Sequence, residues 1–173
     1  MTLKINFEIY KEEIELIEAQ NRVECDLYSI IADIIRASKQ GVNISLRDVS
    51  TRRRTKFSEF FTGESGFPDF VIRTREISSN AKVLGAIEVK YVTENLDFER
   101  HLEQLDGHIN SYKQVIYTNG LVWRLYKLDK YKKNGRPVWE FKLAEDKEGR
   151  IDWGSDDEWN KLLKELDDID WKG

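Results

Sequence analysis

Apolar residues recur along this chain at two distinct spacings. From about Phe7 to Ser38 the pattern is helical, with Val23, Leu27, Ile30, Ile31, Ile34 and Ile35 at three- and four-residue steps forming one stripe. In Gly41–Arg47, Val42, Ile44 and Leu46 alternate with polar residues, which predicts a half-buried strand. A turn-rich stretch, Gly63-Glu64-Ser65-Gly66-Phe67-Pro68, leads into a strand over Asp69–Arg73, and a further strand is predicted over Val83–Val92. Helical spacing returns with Phe98, Leu102, Leu105, Ile109 and Tyr112, which predicts a helix over Leu96–Tyr112 despite Gly107. Two strands, Val115–Thr118 and Leu121–Tyr126, flank Asn119-Gly120, a dipeptide suited to the positive φ of a tight hairpin. Asn134-Gly135 predicts another turn before a strand over Val138–Leu143, and Ser155-Asp156-Asp157-Glu158 has the form of a capping box opening a last, acidic helix. The order of helix, strands, helix, strands, helix predicts an α/β fold with a central mixed β-sheet flanked by helices.

Composition narrows the classes of function. A chain of 173 residues with 40% hydrophobic content suits one domain with a real core, expected to span residues 1–173. No apolar run approaches the roughly 20 residues of a membrane helix, and the start resembles no secretory signal, so a cytoplasmic location without membrane contact is expected. One cysteine, Cys25, excludes an internal disulfide, and two histidines exclude a thiolate or imidazole cluster for structural zinc. Any metal must therefore sit on carboxylates. The net charge of −4 argues mildly against nucleic acid, yet local patches matter more than the sum. Arg52, Arg53, Arg54 and Lys56 form a dense cationic run, with Arg73 beyond it, and these are the candidate phosphate contacts. A solvated surface loop is the competing account.

The chemistry-bearing pattern lies in Ala86-Ile87-Glu88-Val89-Lys90. On a strand, Glu88 and Lys90 project to one face while Ile87 and Val89 take the other. Pairing with the strand that begins at Asp69 adds a second carboxylate, a hard oxygen set of the kind Mg²⁺ prefers. Asp69 and Glu88 are the expected metal ligands, joined by the backbone carbonyl of Val89. Lys90 is the expected water-positioning or acid/base group. The bland alternative is an edge-strand ion pair between Glu88 and Lys90, which contributes little when exposed.

Pro68-Asp69, a spacer of eighteen residues and then Glu88-Val89-Lys90 resemble the motif of the PD-(D/E)XK nuclease superfamily. The stretch from Gln104 to Tyr126 is similar to the nuclease domain at the N-terminus of type I restriction motor subunits and related restriction-modification enzymes, and the resemblance covers roughly Glu24 to Tyr126. It implies a restriction-endonuclease-like core and an Mg²⁺-dependent endonuclease acting on DNA, with Mn²⁺ able to substitute. It further implies a role in restriction, either free-standing or as part of a longer enzyme with motor or methyltransferase partners. The chain has no P-loop and no methyltransferase motif of its own. By the same resemblance Glu24 takes the place of an acid on the helix before the sheet, and Gln104 that of an auxiliary glutamine. Relatives often carry a tyrosine four residues after that glutamine, whereas this chain has His108, with Tyr112 a turn further on. Gln104, His108 and Ser111 or Tyr112 are expected on one helix face. The alternative function is a nuclease-fold module without turnover that binds DNA or serves in assembly.

Other residues carry blander expectations. His101 and His108 lack a third ligand and are expected as polar residues on the helix flank. Cys25 is expected to pack as a small apolar side chain, Asp26 to lie at the surface, and the five tryptophans to serve the core.

Overall fold

The long helix predicted over 7–38 is broken in two. A computed structural model, which describes residues 5–51 and 61–172, places α1 at Phe7–Gln20 and α2 at Leu27–Ala37, with a single 3₁₀ turn at Glu24–Asp26 between them. The stripe Phe7, Tyr10, Ile14, Ile17 would continue into Gln20, Asn21 and Glu24, which are polar, so an unbroken helix has nothing to bury there. The break itself is a left-handed residue, Arg22 (φ 57°), whose N–H and that of Asn21 both return to the Ile17 carbonyl. Val23 is thereby left largely exposed, not in the stripe, and Cys25 is exposed as well, contrary to the packing expected for it.

A 3₁₀ turn at Lys39–Val42 precedes β1 (Ile44–Asp48), so Val42 stands outside the strand and is exposed. The chain continues through β2 (Phe70–Thr74), β3 (Val83–Val89), α3 (Glu99–Tyr112), β4 (Gln114–Thr118), β5 (Val122–Lys127), α4 (Leu128–Asn134) and β6 (Trp139–Lys142). A separate hairpin of β7 (Ala144–Lys147) and β8 (Arg150–Trp153) follows, then α5 (Asp156–Asp168). The six strands β1 to β6 lie in sequence order in one sheet. Every neighbouring pair is antiparallel except β3 and β4, which are parallel and joined by the α3 crossover. The sheet is mixed and flanked by helices.

The two faces of the sheet separate the core by strand alternation. Phe70, Ile72, Ile87, Val89, Ile116 and Trp123 pack toward α1, α2 and α5. Val71, Ala86, Val115 and Tyr117 pack toward Leu105, Ile109 and Tyr112 of α3. On the first face the helices meet through an aromatic layer: Phe7 stacks on Trp159 at 5.5 Å, Tyr10 lies 4.8 Å from the same indole, and both rings touch Trp153 edge-on. The Tyr10 hydroxyl donates to the Gly120 carbonyl (2.5 Å) and accepts from Trp123 Nε1 (3.3 Å), so α1 is fastened to the β4–β5 turn. In that turn only Gly120 has positive φ (85°), and the Asn119 side chain accepts the N–H groups of Leu121 and Val122. The connection is thus a three-residue one, with Leu121 outside β5.

Three features depart from the sequence expectations. The turn at Asn134-Gly135 ends a short helix, α4, which Gly135 closes in the left-handed conformation. The β7–β8 hairpin was not expected because its residues are mostly charged. Ser155 is the N-cap of α5 but its side chain makes no cap hydrogen bond. Among the described residues no helix is long and apolar enough to cross a membrane.

Candidate active site

Strand alternation brings the acid and the base of β3 onto the face covered by α3. Ile87 and Val89 enter the α1/α2 side of the core, so Glu88, and Lys90 just past the strand end, emerge opposite. Lys90 still belongs to the ladder, since its N–H donates to the Thr118 carbonyl at 2.8 Å. Both side chains are buried, Glu88 to 3% exposure and Lys90 to 7%, so this is no solvent-exposed edge pair. Lys90 Nζ donates to Glu88 Oε1 (2.6 Å) and to Gln104 Oε1 of α3 (2.8 Å).

Asp69, immediately before β2, reaches across to the same strand end. Its Oδ2 accepts the Val89 N–H at 2.7 Å, between Glu88 and Lys90, and its Oδ1 accepts the Tyr28 hydroxyl at 2.5 Å. Tyr28 in turn touches Glu24, whose Oε1 lies 3.1 Å from the same hydroxyl. Asp69, Glu88, Lys90, Glu24 and Gln104 therefore form one connected set, and Val89 contributes its backbone to the middle of it. Glu24 stands on the 3₁₀ turn before α2, not on a helix proper.

The electrostatics of this set are uneven. Burial, and next the nearby Glu88 charge, push Asp69 up to about 7 despite the Tyr28 and Val89 hydrogen bonds. Burial raises Glu24 as well, with Lys90 and Tyr28 acting against it. For Glu88 burial also acts upward, but His108 and Lys90 outweigh it and hold the carboxyl below its ordinary value. Glu88 is thus the anionic member of the pair, and Asp69 the one that resists ionisation.

Two contributors were missed by sequence reasoning. Tyr28 orients Asp69 from the opposite face of the sheet, and its spacing of four from Glu24 was the available signal. His108 was expected on the helix flank but is completely buried, with Nε2 3.2 Å from Glu88 Oε2. The approach is close without being aligned as a hydrogen bond, and both ring nitrogens and Glu88 Oε2 lack a hydrogen-bond partner. His101, by contrast, pairs with Glu94 (2.7 Å), whose charge in turn acts on Glu24.

The remaining candidates stand apart. Arg73, at the far end of β2, donates to the carbonyls of Ser79 and Ala81 and closes the β2–β3 turn. Arg52, Arg53, Arg54 and Lys56 lie outside the described residues. The loop ahead of Asp69 is held by α3: Ser111 Oγ accepts the Glu64 N–H (2.8 Å) and Tyr112 donates to the Phe61 carbonyl (2.5 Å). Gly107 permits this approach, since a Cβ there would stand 1.9 Å from Ser65 Oγ and 3.0 Å from the Ser65 backbone nitrogen. In an exposed helix Gly→Ala stabilises by about 1 kcal/mol. Here Gly107→Ala is expected to lower the melting temperature because the loop must move, and a rise in thermal denaturation would show that the loop is not seated on α3.

The donors available to a cation are oxygens: Asp69, Glu88 and the Val89 carbonyl, with Glu24 nearby. Among the described residues no three acidic, histidine or cysteine side chains form a ready metal cluster. An ion that keeps several waters, as Mg²⁺ does, suits two carboxylates and a carbonyl. The burial and the nearby Glu88 charge that together raise Asp69 both fit the addition of positive charge here.

This architecture is a restriction-endonuclease-like α/β fold. No family model matches the sequence, and no curated protein does. Among solved structures the chain is similar to one in the cryo-EM structure of a DrdV–DNA complex, with a TM-score of 0.57 and 17% identity over 94% of this chain. It spans 14% of that chain's length. At this identity the likeness is one of fold.

Proposed function

We propose that this chain is a nuclease domain of the PD-(D/E)XK type that hydrolyses phosphodiester bonds of DNA with Mg²⁺, and that Mn²⁺ can substitute. The observation that carries the reading is the convergence of Asp69, Glu88 and Lys90 at the ends of β2 and β3, with Asp69 pushed up to about 7 beside the Glu88 charge. An isolated structural ion pair needs no second carboxylate held against it. The fold likeness to a chain from a DNA complex supports DNA as the substrate.

Asp69, Glu88 and the Val89 carbonyl are the groups that would hold the ion. The chemistry that Mg²⁺ supplies when bound is charge stabilisation on a phosphoryl oxygen and a lowered pKa for coordinated water. Tyr28 and the Val89 N–H fix the Asp69 carboxylate from two sides. Lys90 is steadied by Glu88 and Gln104, with an ammonium able to orient the attacking water or exchange a proton with it. Glu24, through Tyr28, adds negative charge at the rim. Arg52, Arg53, Arg54 and Lys56 are the proposed backbone phosphate contacts, whereas Arg73 is taken up by the Ser79 and Ala81 carbonyls. A place in a restriction system, with motor or methyltransferase parts supplied elsewhere, follows the same resemblance.

The test is cleavage of supercoiled DNA by the purified chain in Mg²⁺ or Mn²⁺, beside Asp69→Ala. Metal-dependent nicking that the variant loses is the expected result. Salt-sensitive DNA binding without cleavage, in wild type and variant alike, would favour a binding module and overturn the catalytic reading.

A further inference from the structure

His108 is the buried polar group for which the mechanism above has no role. It stands on α3 one helical turn after Gln104, so both side chains leave the same face of the helix. On β3, Glu88 and Lys90 likewise share a face. The two pairs meet one to one: Gln104 Oε1 lies 2.8 Å from Lys90 Nζ, and His108 Nε2 lies 3.2 Å from Glu88 Oε2. The helix thus grips each reacting side chain of the strand with its own polar residue.

A histidine buried to 0% exposure, with neither ring nitrogen hydrogen-bonded, is an expensive way to fill space. Leucine would serve packing alone, and the ring's tilted contact with Tyr112 at 5.9 Å gives no reason for nitrogen. The polar atom that Nε2 faces is the Glu88 oxygen that Lys90 does not take. Because Nε2 is close but not aligned, the Oε2 lone pairs are not fully engaged. The oxygen is buried and held in place against the imidazole.

We infer that His108 is the positioning residue for Glu88: from α3 it faces the buried Oε2 and fixes the rotamer in which the carboxylate serves the site. The inference rests on the nuclease reading and adds a residue to it. It makes α3 a two-point template, with Gln104 setting the lysine and His108 the glutamate. Partners that orient metal ligands in this way typically change metal affinity or activity by 10- to 100-fold when removed.

The experiment compares wild type, His108→Leu and His108→Gln, each confirmed as folded by circular dichroism. Glutamine can place an amide N–H where Nε2 stands, whereas leucine fills the volume without a donor. Mg²⁺ binding to the metal-free proteins is measured by calorimetry, and DNA nicking is followed across Mg²⁺ concentrations. The leucine variant is expected to bind Mg²⁺ about 10-fold or more weaker and to need correspondingly more Mg²⁺ for half-maximal cleavage. Its KM for DNA should be unchanged, and the glutamine variant should recover most of the metal affinity. Leucine indistinguishable from wild type in metal affinity and cleavage overturns the inference alone, as does equal damage from leucine and glutamine, which would mark a packing role. A wild type that neither binds Mg²⁺ nor cuts DNA overturns the nuclease reading, and this inference with it.

Discussion

At pH 8 and without metal, Asp69→Asn is expected to be more stable than the wild type. The folded protein holds Asp69 at about 7, against about 3.9 for an aspartate in an unfolded chain. Above pH 7 the carboxylate is ionised in both states, and keeping it charged in its buried place, with Glu88 nearby, costs roughly 4 kcal/mol. As pH falls below 7 the folded state takes up a proton that the unfolded state does not, so the wild type gains stability until about pH 4. Asparagine removes the charge but presents one oxygen instead of two, so either Tyr28 or the Val89 N–H loses its acceptor, a cost of about 1–2 kcal/mol. The net expectation is a gain of about 2 kcal/mol at pH 8, which shrinks and disappears as pH approaches 5. Denaturant titrations of both proteins across this range measure it directly. Saturating Mg²⁺ should narrow the gap, since an ion bound only by the folded wild type stabilises it. Equal stability at pH 8 would mean that the pocket imposes no charge strain on Asp69.

Lys90→Met should slow cleavage by about 10²- to 10⁴-fold, the usual contribution of a positioned acid/base group. The substitution keeps most of the side-chain volume, so a packing defect is not the source. It also leaves Glu88 Oε1 buried without its ammonium, and breaking a buried pair of this kind costs about 3–5 kcal/mol. The two readouts separate: melting temperature reports the broken pair, and single-turnover cleavage at a temperature where both proteins are folded reports the chemistry. A folded Lys90→Met protein that cuts at the wild-type rate would remove Lys90 from the mechanism. Lys90→Arg is a sharper control, because a planar guanidinium does not fit between Glu88 and Gln104 as a point charge does.

How much of this was readable beforehand depended on whether the signal was local. Period-two alternation in Ala86-Ile87-Glu88-Val89-Lys90 put the acid and base on one face, and α3 followed from Leu102, Leu105, Ile109 and Tyr112. The break near Asn21-Arg22 was also written locally, in the polar residues that interrupt the apolar stripe, but the isoleucines on either side masked it. Tyr28 and His108 were different. Each looks ordinary within its helix, and only the meeting of that helix with a distant strand end gives its polar atom a partner. Gly107 read as a weakness in α3, whereas it is the point where a loop more than forty residues earlier rests on the helix. The charged hairpin after β6 had only Ile151 and Trp153 to announce it, an alternation too short to stand out, and α4, at seven residues, was too short for a stripe.

The aromatic layer on the opposite face has a consequence for dissecting the molecule. Phe7 and Tyr10 of α1 lean on Trp159 of α5, and the Tyr10 hydroxyl continues to the carbonyl of Gly120. The first and last helices therefore act as a clasp, and the turn between β4 and β5 is its latch. Excising α1 would strip the Trp159 indole of its companions and leave the buried Gly120 carbonyl without its donor, and excising α5 would uncover Phe7 and Tyr10, so neither behaves as a removable appendage. A minimal fragment that retains β2 and β3 still needs both.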